Sequence, residues 1–151
     1  MLVWQLTKPK HAPGLNGEGS RIWGGRWNSV GTPVVYVASS LALAALEYLV
    51  HMQSELRRKG RLPHLIAVGV TLPDDLATPL NMGSLPASHG IPDCQAAGDA
   101  WFKAGKSLGL IVPSHVIPGE NNLILNPVHP DMAQVAVRVS EAFGFDDRLG
   151  T

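Results

Sequence analysis

An α+β fold with a curved, mostly antiparallel sheet is what this sequence predicts, on three observations. Short β-branched runs bounded by turn residues recur along the chain, as in residues 33–38 and 64–72. They are mixed irregularly with two helical segments, and the loop-rich spacing does not fit a doubly wound parallel sheet. No Gly-x-Gly-x-x-Gly follows a strand, so the usual dinucleotide fingerprint is missing.

The elements follow in order. Residues 2–6 are a short apolar run and a first strand. Residues 7–20 carry Pro9, Pro13, Gly14, Gly17 and Gly19 and read as loop. Residues 33–38 form a second strand. Ser39 or Ser40 caps a helix over 41–58 that stops at Gly60. Residues 64–72 are a strand, 73–92 a loop with a short helical turn, and 93–108 a helix with Trp101 and Phe102 packing inward. Short strands follow at 109–112, 122–125 and 134–140, with a turn at 126–130.

Length and composition suit one compact domain over 1–151, with 45% hydrophobic residues. Lys plus Arg and Asp plus Glu number 12 each, so the net charge is zero. That argues against a long-range field for steering onto nucleic acid, but leaves room for a local basic pocket. The single cysteine, Cys94, cannot form an internal disulfide and reads as a bland thiol, fitting a reducing interior. No basic segment followed by an apolar run opens the sequence. The most apolar stretch, residues 41–50, is too short to span a bilayer and contains Glu47. The expectation is a cytoplasmic protein with no membrane partner and no direct nucleic acid binding.

The helix at 41–58 is the most informative segment. Leu41, Ala45, Tyr48, Leu49, Met52 and Leu56 share one face, and Leu43, Leu46 and Val50 lie on another, so burial nearly all round is expected through three turns. Ser40, Glu47, His51 and Ser54 form a narrow polar stripe. A carboxylate on a buried helix is costly unless paired or facing a wet cleft. Glu47 and His51, at i and i+4, fit either a structural pair or a catalytic carboxylate lining a pocket.

Other residues carry possible chemistry. Arg21 and Arg26 flank a glycine turn through which backbone can approach a ligand, and an Arg fork can clamp phosphate. Trp23 and Trp27 either stack on a ring or pack in the core, and the same holds for Tyr36. Ser114 and His115 are adjacent on a strand and so point to opposite faces, which disfavours a hydrolase pair. A hydroxyl that hydrogen-bonds a ligand suits Ser114 better. Glu120, His129 and Asp131, with His115 or His51, lack any recognised metal spacing, so no metal site is expected.

Taken together and in order, several motifs resemble those of the RES domain family of bacterial toxins. They are Gly24-Gly25-Arg26-Trp27-Asn28-Ser29-x-Gly31, Val35-Tyr36-x-Ala38-x-Ser40, Leu41-Ala42-x-x-x-Leu46-Glu47 and Val112-Pro113-Ser114. Later come Pro118-x-Glu120-x-Asn122, Asn126-Pro127-x-His129-Pro130 and Phe145-Asp146-x-Arg148-Leu149. The Arg, Glu and Ser that give the family its name fall on Arg26, Glu47 and Ser114. The resemblance implies a fold like the ADP-ribosyltransferases, with NAD⁺ bound as substrate in the cleft of a split sheet and no permanently bound cofactor. It implies cleavage of the nicotinamide–ribose bond by water or phosphate, depleting NAD⁺ and arresting growth. Two alternatives stay open: mono-ADP-ribosylation of a protein from the same pocket, and a non-catalytic partner-binding module. It also implies an Xre-like helix-turn-helix antitoxin covering the site.

On this resemblance Glu47 stabilises the oxocarbenium-like ribose, and Arg26 holds the pyrophosphate with Arg21 helping. Tyr36 stacks on nicotinamide, and Ser114 hydrogen-bonds the ribose or amide. His51 orients Glu47, and Asn122 shapes the pocket.

Overall fold

The computed structural model describes residues 1–150. Its architecture turns on the first strand, β1 (Leu2–Thr7). Along one edge β1 pairs antiparallel with β3 (His64–Thr71) from Leu2 opposite Thr71 to Thr7 opposite Ile66. Along the other edge it meets β2 (Val35–Ala38) only where Trp4 lies opposite Ala38. The sheet is therefore split at this seam. One half is β1, β3 and β7 (Ala136–Gly144); the other is β2, β6 (Asn121–Leu125), β5 (Gly109–Pro113) and β4 (Ala77–Pro79). Every pairing is antiparallel except that of β4 with β5. The α+β class with a mostly antiparallel sheet is thus the class the sequence predicts.

The alternation of apolar residues explains how the halves pack. Val35 and Val37 of β2 and Leu123 and Leu125 of β6 share a core with Val3 of β1 and Val68 and Val70 of β3. The other face of the β2–β6–β5 half, with Ile124, Leu110 and Val112, packs on Trp27, Val34 and Cys94, with Trp101 and Phe102 of α4 (Ile91–Ala104) against it.

The expected 41–58 helix is two helices, α2 (Leu41–His51) and α3 (Gln53–Lys59), broken at Met52. The break falls where the chain leaves the sheet. Leu41, Ala45 and Tyr48 pack against Leu6, Leu65 and Ala67 of β1 and β3, whereas α3 has no fully buried residue. Burial all round is also not found. Leu46 and Val50 are exposed, because sheet covers α2 on one side only. Ser40 caps α2 by accepting from the Leu43 amide at 3.1 Å, and Gly60 and Gly105 end α3 and α4 with φ of 66° and 62°, a region open to glycine.

Two further elements were not foreseen, and one expected strand runs longer. A short helix α1 (Glu18–Trp23) lies at the end of the segment read as loop, β4 lies within the 73–92 loop, and β7 runs to Gly144. Glycine-rich sequence hides α1, and a strand of three residues gives too little periodicity to detect β4. Among the described residues, no helix is long and apolar enough to cross a membrane.

One contact sets how closely α4 approaches the rest. A Cβ on Gly98 would lie 1.7 Å from the Trp27 carbonyl oxygen, so the backbones touch there. We expect Gly98→Ala to cost at least about 2 kcal/mol in urea unfolding, by overpacking against backbone that cannot move aside. Gly19→Ala, in α1 with open space around it, is the control. It should be neutral or stabilising by up to about 1 kcal/mol.

Candidate active site

Glu47 lies on the face of α2 that overhangs the ends of β5 and β6. Its Oε1 accepts two hydrogen bonds, from the Ser114 hydroxyl and from the Asn122 amide, each 2.7 Å long. Ser114 follows β5 directly, and Asn122 lies in β6 opposite Val112, so the strand register sets both donors side by side. The remaining oxygen, Oε2, has only the His51 ring nitrogen nearby, at 3.7 Å. Oε1 is thus anchored, and Oε2 keeps its lone pairs for something else.

Electrostatics favour a charged Glu47. Burial pushes its carboxyl up, but His51 beside it and the hydrogen bonds from Asn122 and Ser114 outweigh that and hold it at about 2. At 3.7 Å and largely exposed, His51 acts more as a nearby charge than as a hydrogen-bond donor. The two bonds to Oε1 are the firm part.

Ser114 is fully engaged. Its hydroxyl donates to Glu47 and accepts from the Val116 and Ile117 amides at 3.1 and 3.0 Å. With one proton and two acceptor positions, nothing is left over for use as a nucleophile or a further donor. Asn122 differs, because its Oδ1 is buried and accepts no hydrogen bond among the described residues.

Arg26 sits on a loop whose shape comes from a buried hub. Asn28 has no exposure; its amide donates to the Ser20 and Thr32 carbonyls at 2.8 and 2.9 Å, and its Oδ1 accepts from the Tyr36 hydroxyl at 2.6 Å. The same hydroxyl accepts from the Trp27 amide at 3.0 Å. Burial pushes the Tyr36 phenol up to about 12, with the Trp27 bond opposing, so it stays a donor. From α4, Gln95 donates to the Gly25 carbonyl at 2.9 Å, and Asp99 accepts from the Ser29 amide at 3.0 Å. A Cβ on Gly25 would meet the Tyr36 hydroxyl at 2.6 Å, which explains the glycine.

The loop leaves the half-buried Arg26 without a hydrogen bond or ion pair among the described residues, whereas Arg21 on α1 is exposed and bonds Glu18 at 2.9 Å. Arg26 and Glu47 both act on His115. Burial lowers that imidazole first, then the charges of Arg26 and His89 do, while Glu47 opposes them. Arg26, Glu47, Ser114, Asn122, His51 and Tyr36 therefore share one region, and Arg21 is turned to a partner of its own. Trp27 is core and Trp23 is 82% exposed. Sequence reading missed Asn28, Gln95 and Asp99, which hold the Arg26 loop; only Asn28 had a signal, as part of the glycine-rich motif. A cavity of about 920 Å³ lies elsewhere, between Lys8, Lys59, Arg61, His64 and Phe145. Its lining carboxylate Glu55 is neutralised by Lys59 and Lys8, unlike Glu47.

The fold is also that of a solved toxin. The structure of the M. tuberculosis MbcT–MbcA toxin–antitoxin complex superposes with a TM-score of 0.73 at 22% identity, over 99% of this chain and 86% of that one. The RES domain profile matches residues 2–146, and the chain belongs to the RES domain family. A Photorhabdus laumondii protein named Toxin Res is 36% identical over 99% of this chain and 97% of its own. A Sphingobium protein named Prs ADP-ribosylating toxin is 38% identical over 97% of this chain and 94% of its own.

The depressed Glu47 carboxyl has a measurable consequence. A folded value of about 2 against an ordinary 4.5 means its contribution to stability is complete above 4.5 and is lost as pH falls toward 2. The stability difference between the native chain and Glu47→Gln should be flat at neutral pH and shrink with acid across that window. Urea unfolding of both proteins from pH 6 to about 2.5 checks the sign, and a difference that grew with acid would contradict it.

Proposed function

We propose that this chain is the toxin of a toxin–antitoxin pair and an enzyme that cleaves NAD⁺ at the nicotinamide–ribose bond, with water or phosphate as acceptor. The observation that carries this reading is the Glu47 carboxylate, charged and anchored through Oε1, with Oε2 facing only His51 at 3.7 Å. Departure of nicotinamide leaves positive charge on the ribose. A carboxylate fixed before the reaction stabilises that charge without reorganising during it.

The other residues divide the work. Arg26, which has no protein partner among the described residues, offers its planar fork to the pyrophosphate. Ser114 is a positioning residue here, since its only proton goes to Glu47. Asn122 also positions Glu47, through the amide that donates to Oε1. Tyr36 packs against the core with its hydroxyl engaged with Asn28, and the part of its ring left uncovered would stack on nicotinamide. His51 adds positive charge beside Glu47 when protonated. Arg21 would have to leave Glu18 to help Arg26.

A second reading has a specific observation behind it, the name of the Sphingobium relative. In it a protein side chain replaces water as acceptor and ADP-ribose is transferred. An antitoxin partner, for which we propose an Xre-like helix-turn-helix protein, is supported by the toxin–antitoxin complex of matching fold and by exposed Ile22, Trp23 and Val30 flanking the Arg26 loop. A cytoplasmic setting follows from NAD⁺ as substrate.

The test is nicotinamide release from NAD⁺ by the pure chain, with and without phosphate. Glu47→Ala should lower kcat/KM on the order of 10²–10³-fold while folding normally. Undiminished release by that variant would overturn the reading. Labelled NAD⁺ marking one cellular protein, with little free nicotinamide formed by the chain alone, would favour transfer.

Two further variants separate roles. Arg26→Lys should raise KM about tenfold with a smaller effect on kcat, because lysine keeps the charge but loses the fork. Ser114→Ala should lower kcat yet retain measurable turnover, and should move the acid limb of the pH profile upward as Glu47 loses a donor. Complete loss in a folded Ser114→Ala protein would instead make Ser114 a direct participant.

A further inference from the structure

Behind Arg26, three side chains from separate segments come together. His89 lies in the loop before α4, Cys94 is the fourth residue of α4, and His115 follows β5. Among the described residues they form the one group of three His, Cys, Asp or Glu side chains with metal-binding geometry, and their ligand atoms all lie within 4.8 Å of one another. The two imidazole rings stand edge to face with centroids 5.5 Å apart, and their Nε2 atoms are 3.3 Å apart.

That separation is informative. Two imidazole nitrogens on one tetrahedral zinc, each about 2.0–2.1 Å from the metal, lie about 3.3 Å apart. A thiolate at about 2.3 Å from the same ion would lie about 3.6 Å from each nitrogen, so a small side-chain adjustment completes the set. The His89 ring is also held from behind. Nδ1 of His89 lies 3.2 Å from the Pro86 carbonyl oxygen. A ring that donates its other N–H to a carbonyl presents Nε2 as a bare lone pair, the arrangement found behind metal-bound histidines. In the metal-free chain one Nε2–H donates to the other Nε2; once that proton leaves, two lone pairs converge on a point where a cation can bind.

We propose that His89, Cys94 and His115 bind a borderline-soft divalent transition-metal ion, Zn²⁺ foremost, through three protein ligands with a fourth position open to solvent. Two imidazoles and a thiolate favour zinc over Mg²⁺ or Ca²⁺, which take oxygen ligands. Cys94 is fully buried and His115 exposed, so the ion sits where the core meets the surface, with the open position outward. Binding forms two metal–nitrogen bonds and one metal–sulfur bond and releases the thiol proton to solvent. The ion would tie α4 and the loop before it to the segment carrying Ser114, while staying separate from Glu47.

The test uses the full chain stripped of metal by chelation. Zn²⁺ titrated in competition with a chromophoric chelator should bind at one equivalent, with a Kd of about 1 μM or tighter. Cobalt in its place should give a thiolate-to-metal charge-transfer band. His89→Ala and His115→Ala, at half-buried and exposed positions, should each weaken zinc binding at least tenfold and abolish any zinc-induced rise in Tm. His129→Ala and Glu47→Gln should bind as the native chain does, which keeps this result independent of the NAD⁺ reading. Absence of binding, or unchanged affinity in both histidine variants, would overturn the site. Cobalt binding without the charge-transfer band would overturn ligation by Cys94, whose own substitution disturbs the core.

Discussion

The carboxylate of Glu47, held at one oxygen by Ser114 and Asn122, is the constraint on which the rest of the site depends. Its two donors come from β5 and β6 and the acid from α2, so the contact exists only if helix and sheet are docked in one register and one rotation. Half-burying a charge without such partners would be unfavourable. Ser114 is itself held by the Val116 and Ile117 amides, which extends the network into the backbone of the turn after β5. The carboxylate is thus preorganised, with one oxygen spent on structure and the other available.

The docking of α2 follows from the split sheet. Because β1 and β2 are joined only at Trp4 and Ala38, the two halves diverge. α2 spans the seam, with Leu41, Ala45 and Tyr48 on the β1–β3 half and Leu43 and Ala44 clustered with Ala38 of β2. The exposed Leu46 and Val50 show how narrow the packed stripe is.

Arg26 depends on a different kind of support. Its loop has little regular structure, yet a buried asparagine, a tyrosine hydroxyl and two α4 side chains satisfy its backbone groups. The close approach at Gly98 lets α4 supply Gln95 and Asp99 from the right distance. The result is an unpaired guanidinium on a buttressed loop, whose charge lowers the His115 imidazole while that of Glu47 opposes it. The His89–Cys94–His115 group lies beside this field, built from segments that α4 and β5 bring together.

The sequence by itself determined the fold class, most strand positions, the Ser40 cap, the glycine stops at Gly60 and Gly105, and the proximity of Glu47 to His51. These are local properties, set by periodicity, capping chemistry and i,i+4 spacing. Motif order also placed Arg26, Glu47 and Ser114 within one family. Only the tertiary structure decided that Ser114 donates to a carboxylate 67 residues away, that Asn122 does so from 75, and that Arg21 turns to Glu18 and leaves Arg26 unpaired. It also decided the break at Met52 and the meeting of His89, Cys94 and His115. The reason is physical: such contacts depend on strand register and helix rotation, which arise from packing between distant segments and leave no trace in local pattern.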